Sequence, residues 1–169
     1  MENLKKNKAV ISLGTNLGNK ELNLKKAISM LEVNCQVLKK SKIYITEPWG
    51  YSSVNEFLNM GLLITTKYNS SGLLNHIKNI ENNMGRKVNP QNGYMDRLID
   101  LDILLFNNEK STSSELTIPH PRIAERNFSI VILQDIFQEN KVPVFNKSAS
   151  ILLNNCKDTS KVTIFENQL

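Results

Sequence analysis

Residues 98–106 form the most apolar stretch of this 169-residue chain, yet they include two aspartates, Asp100 and Asp102. Successive side chains of a β-strand point to opposite faces of a sheet. A strand here would place both aspartates on one face. The other face would present four apolar side chains to the helices: Ile99, Leu101, Ile103 and Leu105. The segment therefore predicts a strand with an apolar face and a face that carries two carboxylates.

The segments before this strand alternate between strand and helix patterns. Apolar or β-rich runs predict strands over residues 8–13, 37–46 and 57–66. Apolar residues at helical spacing predict two helices, one over about residues 20–33 and one that Ser71 would cap and Gly85 would end. This order is that of an α+β fold, the ferredoxin-like βαββαβ sandwich, in which two helices cover one face of an antiparallel sheet.

Length and composition fit one globular domain. The chain is 40% hydrophobic and 22% charged, which excludes disordered, collagen-like and disulfide-stapled classes. We expect a single domain over residues 1–169 with its core at about residues 8–155, and one or two short helices and a peripheral strand after about residue 119.

Cysteine usage and the N-terminus point to a soluble cytoplasmic protein, which we also expect to be a monomer. Cys35 and Cys156 lack metal-ligand spacing and are expected to be free thiols in a reducing compartment. The apolar run at residues 9–13 is too short for a signal peptide or a membrane span. We therefore expect no membrane partner.

The distribution of positive charge is more informative than its total. The net charge is +5, with 21 Lys and Arg against 16 Asp and Glu, which favours an anionic partner. The lysines are dispersed, whereas all four arginines fall within residues 86–126: Arg86, Arg97, Arg122 and Arg126. Guanidinium groups suit bidentate contacts to phosphate. A chance cluster of four residues is the alternative.

The two aspartates favour a hard cation. Carboxylates at strand positions i and i+2 lie roughly 6 to 7 Å apart at their Cβ atoms and raise each other's pKa unless a cation lies between them. Mg²⁺ typically takes one or two protein carboxylates and completes its shell with water and phosphate. With the nearby arginines and His120, Asp100 and Asp102 describe a triphosphate pocket. The alternative is an edge strand whose acidic residues face water or pair with lysines.

A second candidate site lies in the loop after residue 46. It holds the only tryptophan, Trp49, with Tyr51 and Phe57 nearby, and these rings could form a platform for a flat ligand. Asn59 would share a strand face with Phe57 and could hydrogen-bond the edge of a ring. Ordinary packing of the aromatics against the core explains them equally well. The glycines Gly14 and Gly18 match no phosphate-loop spacing.

Four segments in this order resemble one family. They are Ser12-Leu-Gly-Thr-Asn16, Tyr44-Ile-Thr-Glu-Pro-Trp-Gly50 with Phe57-Leu-Asn59, Arg97-Leu-Ile-Asp-Leu-Asp-Ile-Leu-Leu-Phe106, and Pro119-His-Pro-Arg-Ile-Ala-Glu-Arg-Asn-Phe128. Over about residues 8–155 the chain resembles the 6-hydroxymethyl-7,8-dihydropterin pyrophosphokinases of folate biosynthesis. The resemblance implies transfer of pyrophosphate from ATP to the pterin's hydroxymethyl group, with release of AMP.

The resemblance also assigns roles by position. Asp100 and Asp102 would hold two Mg²⁺ ions, and Arg86 and Arg97 would act with them in catalysis. The ATP-binding set would be Leu74, Lys78, Glu81, Arg86, Arg97, Ile103, Leu116, Thr117, His120 and Arg126. The pterin-binding set would be Thr46, Glu47, Trp49, Phe57, Asn59 and Phe128.

Some positions depart from the usual family pattern. The loop at residues 86–97, expected to close over ATP, usually carries a second Arg, a Trp and a Gly-Pro pair before the strand. This chain has Val88, Tyr94 and Met95-Asp96 at those positions, and Lys87 is the candidate to replace the missing Arg. Glu115 replaces a residue that is often basic in relatives.

Two other functions stay open at this point. One is an RNA-binding ferredoxin-like module, which would present aromatics and positive charge on its central strands. The strand with Asp100 and Asp102 would instead repel phosphate without metal, so we expect no nucleic-acid partner. The other is a different Mg²⁺-dependent phosphotransferase on the same fold.

Overall fold

The structure, a computed structural model, describes residues 6–86 and 95–169. The first part of the chain contains β1 Asn7–Thr15, α1 Lys20–Glu32, β2 Cys35–Lys40, β3 Tyr44–Thr46, β4 Phe57–Thr66, α2 Ser70–Asn83 and β5 Asp100–Phe106. The second part contains β6 Ser111–Thr112, β7 Thr117–Ile118, α3 Asn127–Phe137, β8 Lys141–Val142, β9 Lys147–Ser148, α4 Ala149–Asn154 and β10 Val162–Ile164.

The main sheet has the expected ferredoxin-like topology. Its strand order is β10-β3-β4-β1-β5, and β2 also pairs with β4. Each of these pairings is antiparallel. Strands β1, β4 and β5 bury a continuous apolar face against α1 and α2, because their alternate residues point to that side. The β6–β7 and β8–β9 hairpins form two further small sheets.

The single strand predicted over residues 37–46 is interrupted. The Ser41 N–H donates to the Gly61 carbonyl (2.8 Å), while the Ser41 hydroxyl accepts from the Gly61 N–H (2.8 Å). The next residue, Lys42, donates its N–H to the Asp135 carboxylate (2.8 Å) instead of to a neighbouring strand. A side chain thus replaces one ladder bond, and β2 and β3 lie along β4 as two separate strands.

The start of α2 also differs from the prediction. The expected cap, Ser71, lies inside the helix, and the side chain of Asn69 accepts from the Gly72 N–H (2.8 Å). Serine and asparagine are both favourable N-cap residues. Because the Gly72 N–H donates to the Asn69 side chain, Asn69 is the cap. Gly85, with a positive φ of 88°, follows the helix as expected.

A bulge in β5 changes which residues face the helices. Val10 of β1 pairs with Leu105, but the next residue of β1 pairs with Ile103, so Leu104 is an extra residue. Such an insertion reverses the alternation of the side chains beyond it. The prediction that Leu105 packs on the helices is therefore wrong: Leu105 joins the core on the opposite face, and Phe106 joins the helix-side core.

The opposite face of the sheet is also covered in part. Helix α3 packs there through Ile130, Leu133 and Ile136, against Val10 among others. Gly61 permits this contact, because a Cβ at that position would clash with the side chain of Ile132. The two predicted helices cover one face of the sheet, while α3 and α4 form a second apolar core on the opposite face. The end of the sheet where β5 begins carries polar residues on this face instead of α3 packing.

Candidate active site

Asp100 lies at the start of β5 between two arginines. Arg97 Nη1 lies 2.8 Å from one oxygen of Asp100, and Arg86 Nη1 lies 3.1 Å from the other. Arg97 precedes the strand by three residues, and Arg86 follows the end of α2. The fold thus brings the helix end and the strand start to one carboxylate, and the negative charge of Asp100 is offset by both guanidinium groups.

The carboxylate of Glu81 holds the guanidinium group of Arg86 in place. The side chain of Glu81 is only 4% exposed, and its carboxylate forms an ion pair with Arg86 Nη1 and accepts from the Leu101 N–H at 2.7 Å. Burial raises the pKa of Glu81 despite these contacts. Burial alone would lower the pKa of Arg86, but the carboxylates of Asp100 and Glu81 outweigh it and the net shift is upward. Arg86 therefore stays charged.

Asp102 is less well compensated. It shares a face with Asp100, and the nearest imidazole nitrogen, His120 Nε2, lies 3.9 Å from it, beyond hydrogen-bond distance. Burial at the base of the site and the charge of Asp100 raise its pKa more than Arg126 and Arg86 lower it. Its side chain is still 35% exposed, so solvent screens part of this repulsion. Asp102 is thus an accessible carboxyl group whose ionised form is only partly compensated by the nearby cations.

His120 faces this carboxylate in its neutral form. Burial, followed by the charge of Arg126, lowers the pKa of His120 to about 4. Its Nδ1 accepts from the Arg122 N–H (3.2 Å). The proton of the neutral ring therefore lies on Nε2, directed to the Asp102 side. The backbone helps to place this residue, since the His120 N–H donates to the carbonyl of the bulge residue Leu104 (3.0 Å).

Aromatic rings and arginines surround a pocket on the other side of Asp100. The Arg126 guanidinium lies 4.7 Å from the centre of the Trp49 ring and 6.0 Å from that of Phe128. Arg122 lies 5.1 Å from the Trp49 ring, and Arg97 lies 5.9 Å from the Phe57 ring. Cations at these distances are attracted to the ring faces. Arg122 and Arg126 therefore converge on Trp49.

The floor of this pocket is a buried amide. Asn59 donates from Nδ2 to the Thr46 hydroxyl (2.7 Å), which joins the adjacent strands β3 and β4. Its other group, Oδ1, would lie only 2.8 Å from a Cβ on Gly14 of β1. A glycine is therefore required at this position for the amide and the neighbouring Phe57 ring to keep their places.

Two adjoining pockets contain all the predicted site residues. The aromatic pocket is lined by Ser12, Gly14, Thr46, Glu47, Trp49, Tyr51, Phe57, Asn59, Arg97, Asp100, Asp102, Arg126 and Phe128. The polar cleft is lined by Leu74, Lys78, Glu81, Arg86, Leu101, Asp102, Ile103, Ser113, Ser114, Glu115, Leu116, Thr117, His120 and Pro121. Asp102 lines both pockets.

The structure groups the two predicted sets separately. All six residues of the expected pterin set lie in the aromatic pocket. The polar cleft contains eight residues of the expected ATP set, and the other two, Arg97 and Arg126, lie on the aromatic side of the aspartates. Of the positions that depart from the family pattern, Glu115 lines the polar cleft. Lys87, Val88 and Tyr94, with most of the 86–97 loop, lie outside the described residues.

Two further aspartates support the aromatic pocket and were not among the predicted site residues. Asp96 accepts hydrogen bonds from four side chains, one of which, that of Tyr51, lines the pocket. Asp158 accepts from the Asn127 N–H at the start of α3 (2.9 Å) and from the Trp49 indole. Their partners lie far away in sequence. The only local signal was that Asp96 occupies one of the departures from the family pattern.

Comparison with solved structures defines the fold class first. The chain superimposes on a Plasmodium falciparum HPPK-DHPS variant with a TM-score of 0.72 at 19% identity, covering 89% of this chain and 43% of that chain. Wild-type Plasmodium falciparum HPPK-DHPS gives a TM-score of 0.69 at 20% identity, covering 89% and 44%. The chain thus spans less than half of each of these solved chains and shares the fold of the matched part.

Sequence comparison then gives the family. The profile of the 7,8-dihydro-6-hydroxymethylpterin-pyrophosphokinase family matches residues 10–138. The chain is 42% identical over 135 residues to the Bacillus subtilis 2-amino-4-hydroxy-6-hydroxymethyldihydropteridine pyrophosphokinase, covering 79% of this chain and 80% of that protein. It is 34% identical over 137 residues to the Aquifex aeolicus enzyme of the same name, covering 81% and 84%. The chain belongs to the 7,8-dihydro-6-hydroxymethylpterin-pyrophosphokinase family.

Proposed function

We propose that this protein transfers pyrophosphate from ATP to 6-hydroxymethyl-7,8-dihydropterin in folate biosynthesis. The pterin's hydroxymethyl oxygen attacks the β-phosphorus of ATP, the bond from that phosphorus to the oxygen bridging to the α-phosphate breaks, AMP leaves, and the hydroxyl proton is released. One observation carries this proposal: Asp102 lines both the aromatic pocket and the polar cleft. Two substrates bound in these pockets would therefore meet at the carboxylates.

The aromatic pocket suits a flat, neutral heterocycle with hydrogen-bonding edges. Phe57 and Phe128 offer ring faces for stacking, and Trp49 closes the pocket beside them. With Nδ2 of Asn59 donating to Thr46, Oδ1 remains to accept from a donor on the edge of the ligand. The backbones of Thr46 and Glu47 would read the rest of that edge.

The polar cleft suits the nucleotide. Leu74, Ile103 and Leu116 provide apolar surface, and Lys78 and Thr117 provide polar groups along the same wall. We place the base and ribose of ATP here. Glu81 belongs to the same wall, but its oxygens are held by Arg86 and the Leu101 N–H. Its role in nucleotide binding is therefore to fix Arg86.

The carboxylates at the junction fit Mg²⁺. Asp102 is accessible, and its ionised form is only partly compensated by the nearby cations, while oxygen-only donors suit a hard cation. Within residues 6–86 and 95–169, no group of three or more His, Cys, Asp or Glu could hold a metal ion. A cation at the two carboxylates would therefore need water and substrate oxygens to complete its shell. We propose that Asp100 and Asp102 hold two Mg²⁺ ions, whose charge would offset that of the ATP phosphates.

The surrounding cations would stabilise the transition state. Arg86 and Arg97 are already held at Asp100, and Arg126 lies between the two aromatic rings. Their guanidinium groups would bind phosphate oxygens as negative charge shifts from the β-phosphorus to the leaving AMP. Neutral His120 would donate from Nε2 to a phosphate oxygen. These fixed donors need little reorganisation during the reaction.

The decisive experiment is a nucleotide assay with and without the pterin. We expect the purified protein with Mg²⁺ and ATP to form AMP only when 6-hydroxymethyl-7,8-dihydropterin is added, and to form the pyrophosphorylated pterin in equal amount. Formation of ADP would indicate a different phosphotransferase. AMP formation that does not depend on the pterin would also contradict the proposal.

The remaining expectations concern partners and location. RNA binding is not favoured, because the exposed end of the central sheet presents Asp100 and Asp102. In the part of the chain that the structure describes, no helix is long and apolar enough to cross a membrane. Both cysteines are free. A monomer in the cytoplasm stays a prediction, which light scattering of the purified protein and cell fractionation would test.

A further inference from the structure

The carboxylate of Asp96 collects hydrogen bonds from four side chains. Its Oδ1 accepts from Asn16 Nδ2 (2.7 Å) and from the Tyr51 hydroxyl (3.0 Å). Its Oδ2 accepts from the Ser53 hydroxyl (2.8 Å) and from Asn55 Nδ2 (2.6 Å). These hydrogen bonds, that from Asn55 foremost, lower the pKa of Asp96 to about 2. The carboxylate is therefore ionised at neutral pH and accepts all four bonds.

The four donors come from two regions that border the aromatic pocket. Tyr51, Ser53 and Asn55 belong to the loop between β3 and β4, which also carries Trp49. Asn16 directly follows β1, and its Nδ2 also donates to the Asn55 carbonyl (3.2 Å). The single carboxylate of Asp96 thus ties a long loop to the end of a central strand.

The same network reaches the reacting groups. Asp96 directly precedes Arg97, whose N–H donates to Asn16 Oδ1 (2.8 Å) and whose carbonyl accepts from the Asn16 N–H (3.2 Å). Arg97 in turn is paired with Asp100. The loop over the aromatic pocket and the arginine beside the carboxylates are therefore fixed to one another through Asp96 and Asn16.

We propose that Asp96 is a positioning residue that holds the β3–β4 loop closed over the pterin, so that binding does not have to order this loop. This inference rests on the proposed function for the identity of the ligand. A loop of ten residues between β3 and β4 loses conformational entropy when it is fixed. Four hydrogen bonds to one carboxylate supply that order before the substrate arrives.

The test compares Asp96→Ala and Asp96→Asn with Asp135→Asn as a matched control. Asp135 also joins separate elements, through the Tyr44 hydroxyl (2.6 Å) and the Lys42 N–H (2.8 Å). Neither of these partners lines either of the two pockets, whereas Tyr51, a partner of Asp96, lines the aromatic pocket. We expect D96A to raise the KM for the pterin at least tenfold and to leave the KM for ATP within twofold. D96N, which retains one acceptor oxygen, should show a smaller rise. D135N should leave both KM values unchanged.

Hydrogen exchange gives a readout that does not depend on catalysis. In the absence of ligands, the backbone of residues 47–56 should exchange faster in D96A than in the wild type, and not in D135N. A wild type without pterin-dependent AMP formation would refute the proposed function, while this comparison would still decide whether Asp96 orders the loop. Folded D96A with unchanged pterin KM and unchanged exchange would overturn the inference.

A milder variant keeps the test decisive if D96A does not fold. The double variant S53A/N55A retains the carboxylate and removes two of its four donors. A rise of at least fivefold in the pterin KM, with faster exchange of residues 47–56, would support the inference. An unchanged KM and unchanged exchange in this double variant would overturn it.

Discussion

The aromatic pocket and the polar cleft meet at Asp102 but are built on different principles. In the aromatic pocket, polar groups of the protein already satisfy one another: Thr46 accepts from Asn59, and Asp158 accepts from the Trp49 indole. Asp102, which lines both pockets, differs from these groups. Burial and the negative charge of Asp100 raise its pKa and so disfavour its ionised form. The aromatic pocket thus has its polar groups held in place before a ligand binds, whereas the carboxyl group at its junction with the polar cleft is poorly compensated.

This difference matches the two kinds of ligand that we propose. A neutral ring is recognised by shape and by a few fixed hydrogen bonds, so order before binding raises affinity. A triphosphate with Mg²⁺ is recognised by charge, and carboxylates placed for a cation repel each other until the cation arrives. If the two pockets are independent in this way, a change in one should leave binding in the other unaffected.

The largest expected effect comes from the two aspartates. Asp102→Asn and Asp100→Asn should each lower turnover by about a thousandfold or more, because the charge that would hold Mg²⁺ at the phosphates is lost. Assays of AMP formation at saturating substrates measure this. Turnover above one-tenth of the wild-type value in both variants would remove these carboxylates from the mechanism.

The same two variants should differ in stability. Since the pKa of Asp102 is raised in the folded state, its ionised form opposes folding at neutral pH, and D102N should be more stable. After allowance for solvent screening of a side chain that is 35% exposed, we expect about 1 kcal/mol. D100N loses ion pairs with Arg86 and Arg97 and should be less stable by about 1 kcal/mol. Urea unfolding without ligands measures both, and equal shifts would contradict the described charge balance.

The next largest effect should be confined to the aromatic pocket. In Gly14→Ala the new Cβ would lie 2.8 Å from Asn59 Oδ1 and 3.6 Å from a carbon of the Phe57 ring. Because 2.8 Å is closer than these atoms tolerate, the Asn59 amide must leave its present position, which disturbs its hydrogen bond to Thr46 (2.7 Å). We expect the pterin KM to rise by about thirtyfold, roughly the 2 kcal/mol of a lost buried hydrogen bond, with the ATP KM unchanged. An equal rise in both KM values would show that the pockets are not independent.

A smaller effect is expected from Asp158, which lies beyond the family match at residues 10–138. Its carboxylate holds both Trp49 and the start of α3, next to Phe128. D158A should raise the pterin KM by about tenfold and lower stability by about 1 kcal/mol, as loss of a helix cap does. Ser148→Ala removes the cap of α4, where the hydroxyl accepts from the Ile151 N–H, and is the control. A similar pterin KM in D158A and S148A would assign Asp158 a purely structural role.

Local patterns in the sequence were sufficient for most of the framework. The alternation around Asp100 and Asp102 placed both on one face, and the helical spacing of Leu73, Ile77 and Ile80 placed the buried side of α2. These features depend on neighbours within one element. The resemblance added the two sets of residues that the structure brings into the aromatic pocket and the polar cleft.

Features that depend on distant contacts could not be predicted in this way. The bulge at Leu104 and the interruption at Ser41 depend on hydrogen bonds to other strands and turns. The network of Asp96 joins residues up to 80 positions apart. A periodic pattern in the sequence does not indicate such distant partners. The residue type gives no signal either, because most aspartates in proteins are simply exposed to solvent. The positioning residues are therefore the part of the site that sequence reasoning missed.

The smallest effect tests the neutral state of His120 in the polar cleft. Its pKa is lowered to about 4 in the folded protein, below the ordinary value of about 6.5. Between these values the unfolded chain binds more protons, so this residue contributes stability at pH 7 that is lost as the pH falls below about 6.5. From pH 7 to pH 5.5, the wild type should lose about 1 kcal/mol more free energy of unfolding than His120→Gln. Urea titrations of both proteins at the two pH values give this difference, and His76, present in both, cancels. An equal loss in both proteins would mean that His120 is not held neutral by burial and Arg126. The ring would then be largely protonated at pH 5.5, and in that form its Nδ1 could not accept from the Arg122 N–H.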